Sequence, residues 1–342
     1  MTRPQPWLFS RNLDLAAFGG SSLVALALTA LGWKLGLLHS PLPLWAWLAV
    51  VVGVDVAHVH ATWLRTYLDP VELKLHPARY ALIPVSAWLL GAALHSQSAL
   101  LFWRVLAYLA VFHFIRQQLG WVALYQRKEE TLSSLDRHLD RATIYAATIW
   151  PLLWWHGHLP RSFAWFLEGD FAGPMTARLA SATLPFYLTL LLGFSLRQFV
   201  RWQREAFIPV GKSLVVATTA LTWFLAIVAF NSDWAFTLLN VLPHGIPYMI
   251  LVWQRSKFEP GRTGAAASLI KAGPVVFAIL LILVAYGEEW LWDLGIWHDH
   301  PALFGEGWDM TRMAQALVVP LLALPQATHY LLDGFIWKRM AP

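Results

Sequence analysis

Cysteine is missing from all 342 residues, which excludes disulfides, iron–sulfur clusters, thiolate-ligated haem and cysteine-containing zinc sites. Charge is scarce as well. Asp, Glu, Lys and Arg make up 13% of the chain, about half of what a soluble domain carries. No low-complexity linker, internal repeat or soluble domain interrupts the sequence. The first eleven residues hold two prolines and two arginines ahead of any apolar run, unlike a cleavable signal peptide. Three catalytic signatures are also absent. Gly211-Lys212-Ser213 lacks the glycine a phosphate loop needs five positions earlier, where Ala206 stands. No lysine lies deep in an apolar run to form a retinal Schiff base. No His-x-x-His-His cluster of the desaturase kind is present.

What fills the chain instead is hydrocarbon. Hydrophobic residues make up 58%, in several runs long enough to cross a bilayer. The pattern predicts an all-α, polytopic membrane bundle of ten helices in a single transmembrane domain, 1–342. They fall near 13–38, 43–66, 78–95, 98–125, 139–156, 182–199, 211–231, 233–254, 268–286 and 314–337. Basic residues alternate with that count. With Arg3 and Arg11 inside, 19 of the 25 Lys and Arg fall in inside segments, five fall outside, and Arg116 lies within a helix. The net charge of +5 is therefore a topology signal rather than a nucleic-acid signal. Both termini are expected in the cytoplasm, and a bacterial inner membrane is the expected location. Trp45, Trp47, Trp154, Trp155, Trp290 and Trp292 fall near predicted interfaces, as an aromatic belt should. Residues 126–140 read as a short surface helix capped by Ser133 or Ser134. Residues 287–313, with Glu288, Glu289, Asp293, His298, Asp299 and His300, read as a solvated acidic outer loop that a second, exposed metal site would also suit.

Polar residues inside apolar helices are costly and mark sites. Four predicted helices carry them. The second has Asp55, His58, Thr62, Arg65 and Asp69 on one stripe, with His60 about 160° round from His58, so both can serve one metal only on a distorted helix. The fourth has His113, Arg116, Gln117 and Gly120 on one face, and a buried Arg116 needs an anionic partner. The eighth has Asn240, His244 and Tyr248 in i, i+4, i+8 register, with Pro243, Gly245 and Pro247 expected to break or kink it and open a pocket. The tenth stacks Gln326, His329 and Asp333 on one face, where Asp333 is placed to orient the His329 ring. These four helices run in the same direction. Their histidines stand 7, 14, 11 and 9 residues from the first inner-edge basic residue, roughly 10–21 Å above it.

Convergence on one ion follows. His58, His113, His244 and His329 are the expected metal ligands, with Asp333 and His60 as further candidates. Tyr248, Arg116 and Asn240 are candidate catalytic groups, and Gln117, Gln326 and Asp55 candidate cofactor-binding ones. Imidazole nitrogens suit iron, copper or zinc. The expected function is a non-haem iron oxygenase or oxidase that takes O2 and a hydrophobic, lipid-soluble substrate; a hydroxylase would also need a separate electron donor. Two rivals stand beside it: a membrane cytochrome with two histidines clamping haem b, and a transporter with a polar site on a broken eighth helix. Interhelical hydrogen bonding alone is the bland alternative for the histidines.

The order of motifs resembles a known family. His58 on an early helix, His113-Phe114 about 55 residues later, Pro243-His244, and the final Pro325-x-x-x-His329…Asp333-Gly-Phe-Ile are similar to the membrane β-carotene 15,15′-dioxygenases of the bacteriorhodopsin-related-protein type. The resemblance implies iron held by histidines from separate helices and O2-dependent cleavage of a carotenoid, with His58, His113, His244 and His329 as ligands. Two positions depart from the family. Asp55 precedes His58 where the family has Pro-His-Gly…Asp, and Tyr248 stands in place of a second histidine after His244.

Overall fold

The computed structural model describes residues 6–129, 132–173, 177–205, 207–257 and 264–337. Arg3, Arg262, Lys338 and Arg339, which the charge pattern uses, lie outside them. The described residues form helices and connecting turns, with no strand among them. The longer helices are α1 Arg11–Lys34, α2 Leu44–Arg65, α3 Pro77–Gln97, α4 Ala99–Gln126, α5 Ser134–Gly157, α6 Ala177–Glu205, α7 Val210–Ala229, α8 Asp233–Lys257, α9 Pro274–Trp297, α10 Arg312–Leu322 and α11 Leu324–Ile336. Eight of them, all but α5, α10 and α11, are long and apolar enough to cross a bilayer, the mark of an integral membrane protein. Burial sorts them. In α8, 78% of the apolar window is buried, against 11% in α3 and 17% in α6, which turn Leu82, Leu89, Leu188 and Leu192 outward. The helix that carries His244 is the most enclosed.

Several expectations change at helix ends. Ser133 caps α5 by accepting from the Asp136 N–H at 3.1 Å, so the expected surface helix and the fifth membrane helix are one continuous helix. Glu130 and Thr131 of that segment lie outside the described residues. The ninth helix starts at Pro274, not near 268, because Gly273 adopts φ 101° and separates it from a short helix Gly264–Ala272. Its far end runs on to Trp297, so Glu288, Glu289 and Asp293 sit on a helix rather than in a solvated loop. The run 314–337 divides at Ala323 into α10 and α11, since Pro325 has no N–H to carry one helix through. By contrast α8 runs unbroken through Pro243, Gly245 and Pro247, so the expected break is not there. Each proline withholds a single N–H, and a helix enclosed by neighbours survives that loss.

The chain forms two compact units: 1–43, 114–164 and 171–247, and 44–113, 165–170 and 248–342. Helices α4 and α8 pass from one into the other without interruption. In the first unit α5 packs along α6 and α7, and α7 against α1. Trp150 of α5 stacks on Tyr187 of α6 at 4.6 Å and donates to the Ala180 carbonyl. A buried ionic knot joins the same elements. Lys212 Nζ on α7, fully enclosed, is 2.6 Å from both Glu129 Oε1 and Asp140 Oδ2, and Arg201 on α6 holds the other Glu129 oxygen at 2.7 Å. In the first turn of α5, ahead of its apolar stretch, the hydrogen-bonded Arg197 guanidinium holds the Asp136 carboxyl down at about 2.

In the second unit α9 packs on α2, and α3 packs on α10 and α11. Gly91 permits the α3–α10 approach: a Cβ there would stand 2.7 Å from Pro320 Cβ. Val52, Val56, Ala57, Ala61, Tyr248, Phe277 and Leu281 form one apolar core; Phe102, Trp103, Leu106, Trp292 and Tyr330 anchor another. Helix α2 is irregular. Its turns widen to i→i+5 bonding over Trp47–Val56, return to α geometry over Ala57–Ala61 and tighten over Thr62–Arg65.

Candidate metal centre

The geometry is set by three helices of the second unit. α2 brings His58, α4 ends its share of that unit at His113, and α11 brings His329; each ring is 1% exposed. The Nε2 atoms of His113 and His329 face each other at 3.1 Å. The Nδ1 atoms face outward to partners. His58 Nδ1 lies 3.3 Å from the Val54 carbonyl and 3.7 Å from Asp55 Oδ1. His113 Nδ1 lies 3.5 Å from Asp333 Oδ2. His329 Nδ1 lies 2.6 Å from Thr62 Oγ1.

A directional chain leaves His329. With Nε2 kept for a metal, its Nδ1–H donates to Thr62, whose hydroxyl is 2.8 Å from the Tyr248 hydroxyl. Tyr248 donates to Asp333 Oδ1 at 2.6 Å, and the Trp337 indole donates to the same oxygen at 3.2 Å. A carboxylate thus terminates a chain that fixes tautomer and ring plane, the arrangement that raises an imidazole's basicity toward a metal.

The fourth imidazole comes along α8, which carries His244 one turn before Tyr248. Its ring stacks on Phe114 at 3.5 Å and 6°, and its carbonyl accepts from Gln117 Nε2 at 3.0 Å. One nitrogen from each of His58, His113, His244 and His329 lies within 4.8 Å of all the others. Two bonds of about 2.1 Å set ligand atoms about 3.0 Å apart at right angles, about 3.4 Å at tetrahedral angles and about 4.2 Å across the ion. The 3.1 Å edge fits one small ion, the 4.8 Å limit of the spread exceeds the trans distance so that the widest pair closes by up to about 0.6 Å around an ion, and an all-nitrogen donor set suits a transition metal. The four residues can hold a metal ion.

No protein-family model, curated protein or solved structure matches the chain.

The remaining sequence candidates divide by position. Asp333 faces His113 rather than its own helix neighbour His329, whose Nδ1 goes to Thr62, so the expected His329–Asp333 pairing is replaced by a cross-helix one. Tyr248 and Asp55 border the centre. Gln117 supports it through the His244 carbonyl. His60 turns to the other side of α2 and meets Glu288 at 2.7 Å, outside the group of four. Gln326 likewise bonds Glu288, at 2.8 Å. Asn240 is buried and returns its amide to the Phe236 carbonyl one turn back. Arg116 is exposed and bonds the Tyr145 hydroxyl, so a role in the chemistry is not supported; a long guanidinium side chain on this face reaches outward. Thr62 is the functional residue that sequence reasoning passed over. It shares the His58 stripe, but threonines in membrane helices commonly bond their own backbone, which hides such a role.

Thr62→Val keeps the shape and removes the link. Metal affinity is expected to fall roughly ten- to a hundredfold, read by competition titration with a chromophoric chelator. Unchanged affinity would mean that the hydroxyl does not orient His329.

Proposed function

We propose that the chain is a membrane-embedded, histidine-ligated metal oxygenase or oxidase, with non-haem iron as the working metal and a hydrophobic, carotenoid- or isoprenoid-like substrate. The observation that carries this reading is the convergence of four buried imidazoles from four helices. Outer partners on three of the rings support it, because such partners mark ligands rather than packing histidines. The resemblance to the membrane carotenoid dioxygenases favours iron and a polyene.

Bound iron would supply O2 binding and activation. The chain's own groups do the rest. Val54, Thr62 and Asp333 hold the imidazole tautomers, Phe114 fixes the His244 ring plane, and Tyr248 donates a hydrogen bond that fixes the Asp333 carboxyl. The apolar enclosure keeps bulk water out, and a lipid-soluble substrate reaches the centre from the bilayer. Cleaving a carbon–carbon double bond places one oxygen atom of O2 on each carbon and needs no outside electrons; a hydroxylation would draw two from a separate donor. On this reading the enzyme sits in a bacterial plasma membrane with both termini in the cytoplasm.

A haem b cytochrome is less well supported. Haem would use two imidazoles, whereas four buried imidazoles converge here. The unbroken α8 removes the feature on which a transporter rested. Elemental analysis with an optical spectrum of the protein in detergent is the test. Iron without a Soret band, together with O2-dependent loss of polyene absorbance, is the expected result. Metal retained in His113→Ala and His244→Ala alike would remove the reading.

A further inference from the structure

His60 and Glu288 belong to a second buried polar group that the four-histidine centre does not use. On a helix, residues two apart point about 200° from each other, so His58 and His60 serve opposite sides of α2. His60 is 3% exposed and Glu288 8%. His60 Nε2 stands 2.7 Å from Glu288 Oε2 but off the line of a ring N–H, so neither atom has a hydrogen-bond partner, and His60 Nδ1 has none either. The other Glu288 oxygen accepts from Gln326 Nε2 at 2.8 Å and Trp292 Nε1 at 3.3 Å. That leaves Gln326 Oε1 buried without a partner. Helices α2, α9 and α11 thus each carry a buried atom with a free lone pair, on side chains linked through Glu288.

The side chains around it are acidic. Glu289 lies within electrostatic reach of Glu288, Asp55 and Asp293. Asp293 is 3% exposed; one of its oxygens accepts from the Asp299 and His300 N–H groups at 2.9 Å, and the other has no partner. Among the described residues no lysine or arginine forms an ion pair with any of these four carboxylates. Glu288 and Asp293 are the buried members of this group, and a buried carboxylate without a cation is strongly unfavourable, so Glu288 calls for one.

We propose that His60 Nε2, Glu288 Oε2 and Gln326 Oε1 form a second cation site, distinct from the four-histidine centre, that takes a divalent transition ion of the manganese, iron or zinc type. A mixed nitrogen–oxygen donor set suits those ions. The 2.7 Å nitrogen–oxygen edge lies close to the roughly 3.0 Å that two bonds of about 2.1 Å make at right angles. Asp55 and Glu289 stand nearby and are not needed as ligands.

The test is a zinc titration of the full chain in detergent, with bound metal counted by elemental analysis. Two zinc ions per chain are expected in the unaltered protein, and one each in His60→Ala, Glu288→Gln and His329→Ala. Saturation at a single ion that Glu288→Gln does not lose overturns the second site. A single ion lost in Glu288→Gln but kept in His329→Ala would uphold this site and overturn the four-histidine centre. Should Glu288→Gln not fold, Gln326→Leu removes only a neutral ligand. At unchanged helix content it must weaken one class of site by about tenfold or more, and unaltered binding there also overturns the proposal.

Discussion

In His329→Ala the four-histidine centre is expected to lose its metal, with affinity falling by well over a hundredfold. The scale follows from comparison: deleting an outer partner of a metal-bound imidazole costs roughly ten- to a hundredfold, and here the ligand itself goes. His329 is the pivot of the group. Its Nε2 meets His113 at 3.1 Å, its Nδ1 meets Thr62 at 2.6 Å, and its ring lies edge-on to both His58 and Tyr248 at 5.0 Å. The scaffold should survive, because the Tyr248–Asp333 bond, the Trp337–Asp333 bond and the α3–α11 packing do not pass through the ring. Elemental analysis beside circular dichroism in detergent checks this, with Leu331→Ala on an exposed position of the same helix as the control. Equal metal in His329→Ala and the control would show that the ring is only a packing element.

Lys212→Met is expected to destabilise the fold by about 3–5 kcal/mol, the usual cost of stranding a buried partner. The ammonium answers two carboxylates at 2.6 Å, and among the described residues Glu129 has a second cation, Arg201, while Asp140 has none. Asp140 would keep a neutral neighbour, the Gln126 amide at 3.0 Å. A midpoint of thermal unfolding in detergent lower by roughly 5–15 °C is the corresponding signal. Lys212→Met with Asp140→Leu should recover most of it, since replacing a buried pair by apolar groups is often neutral. A double variant as unstable as the single one would mean that the ammonium contributes packing rather than charge balance.

Which parts of this arrangement were legible in the chain follows from the range of each signal. The all-helical, membrane-spanning character comes from local periodicity, though eight helices and not ten are long and apolar enough to cross a bilayer, and His58, His113, His244 and His329 stand out because an imidazole in an apolar run is conspicuous wherever it occurs. Their meeting was inferable from depth alone. The partners of those rings were not. Asp333 lies one turn from His329, which made a same-helix pair the natural reading, but the side chain serves His113 across the bundle. Arg116 shared a helical face with His113 on paper, yet at three residues' offset it falls on the exposed side. Glu288 reads as a loop residue because charge near a helix end ordinarily signals water; an enclosed imidazole opposite it, His60, gives no local sign. Pro243 and Pro247 suggested a break for the same local reason, and enclosure of α8 overrode it.

The wide-turned stretch of α2 has a consequence for how the site can vary. A turn closed by i→i+5 bonds takes up one more residue than an ordinary turn, and each residue is worth about 100° of rotation in an α-helix. If Trp47–Val56 wound back to regular geometry, His58, His60 and Thr62 would swing together around the axis. The azimuth of two imidazoles and a hydroxyl is therefore stored upstream, in a run of valines that contains no histidine. Changes among Val50, Val51 and Val52 can reset the four-histidine group from a distance, by twist alone.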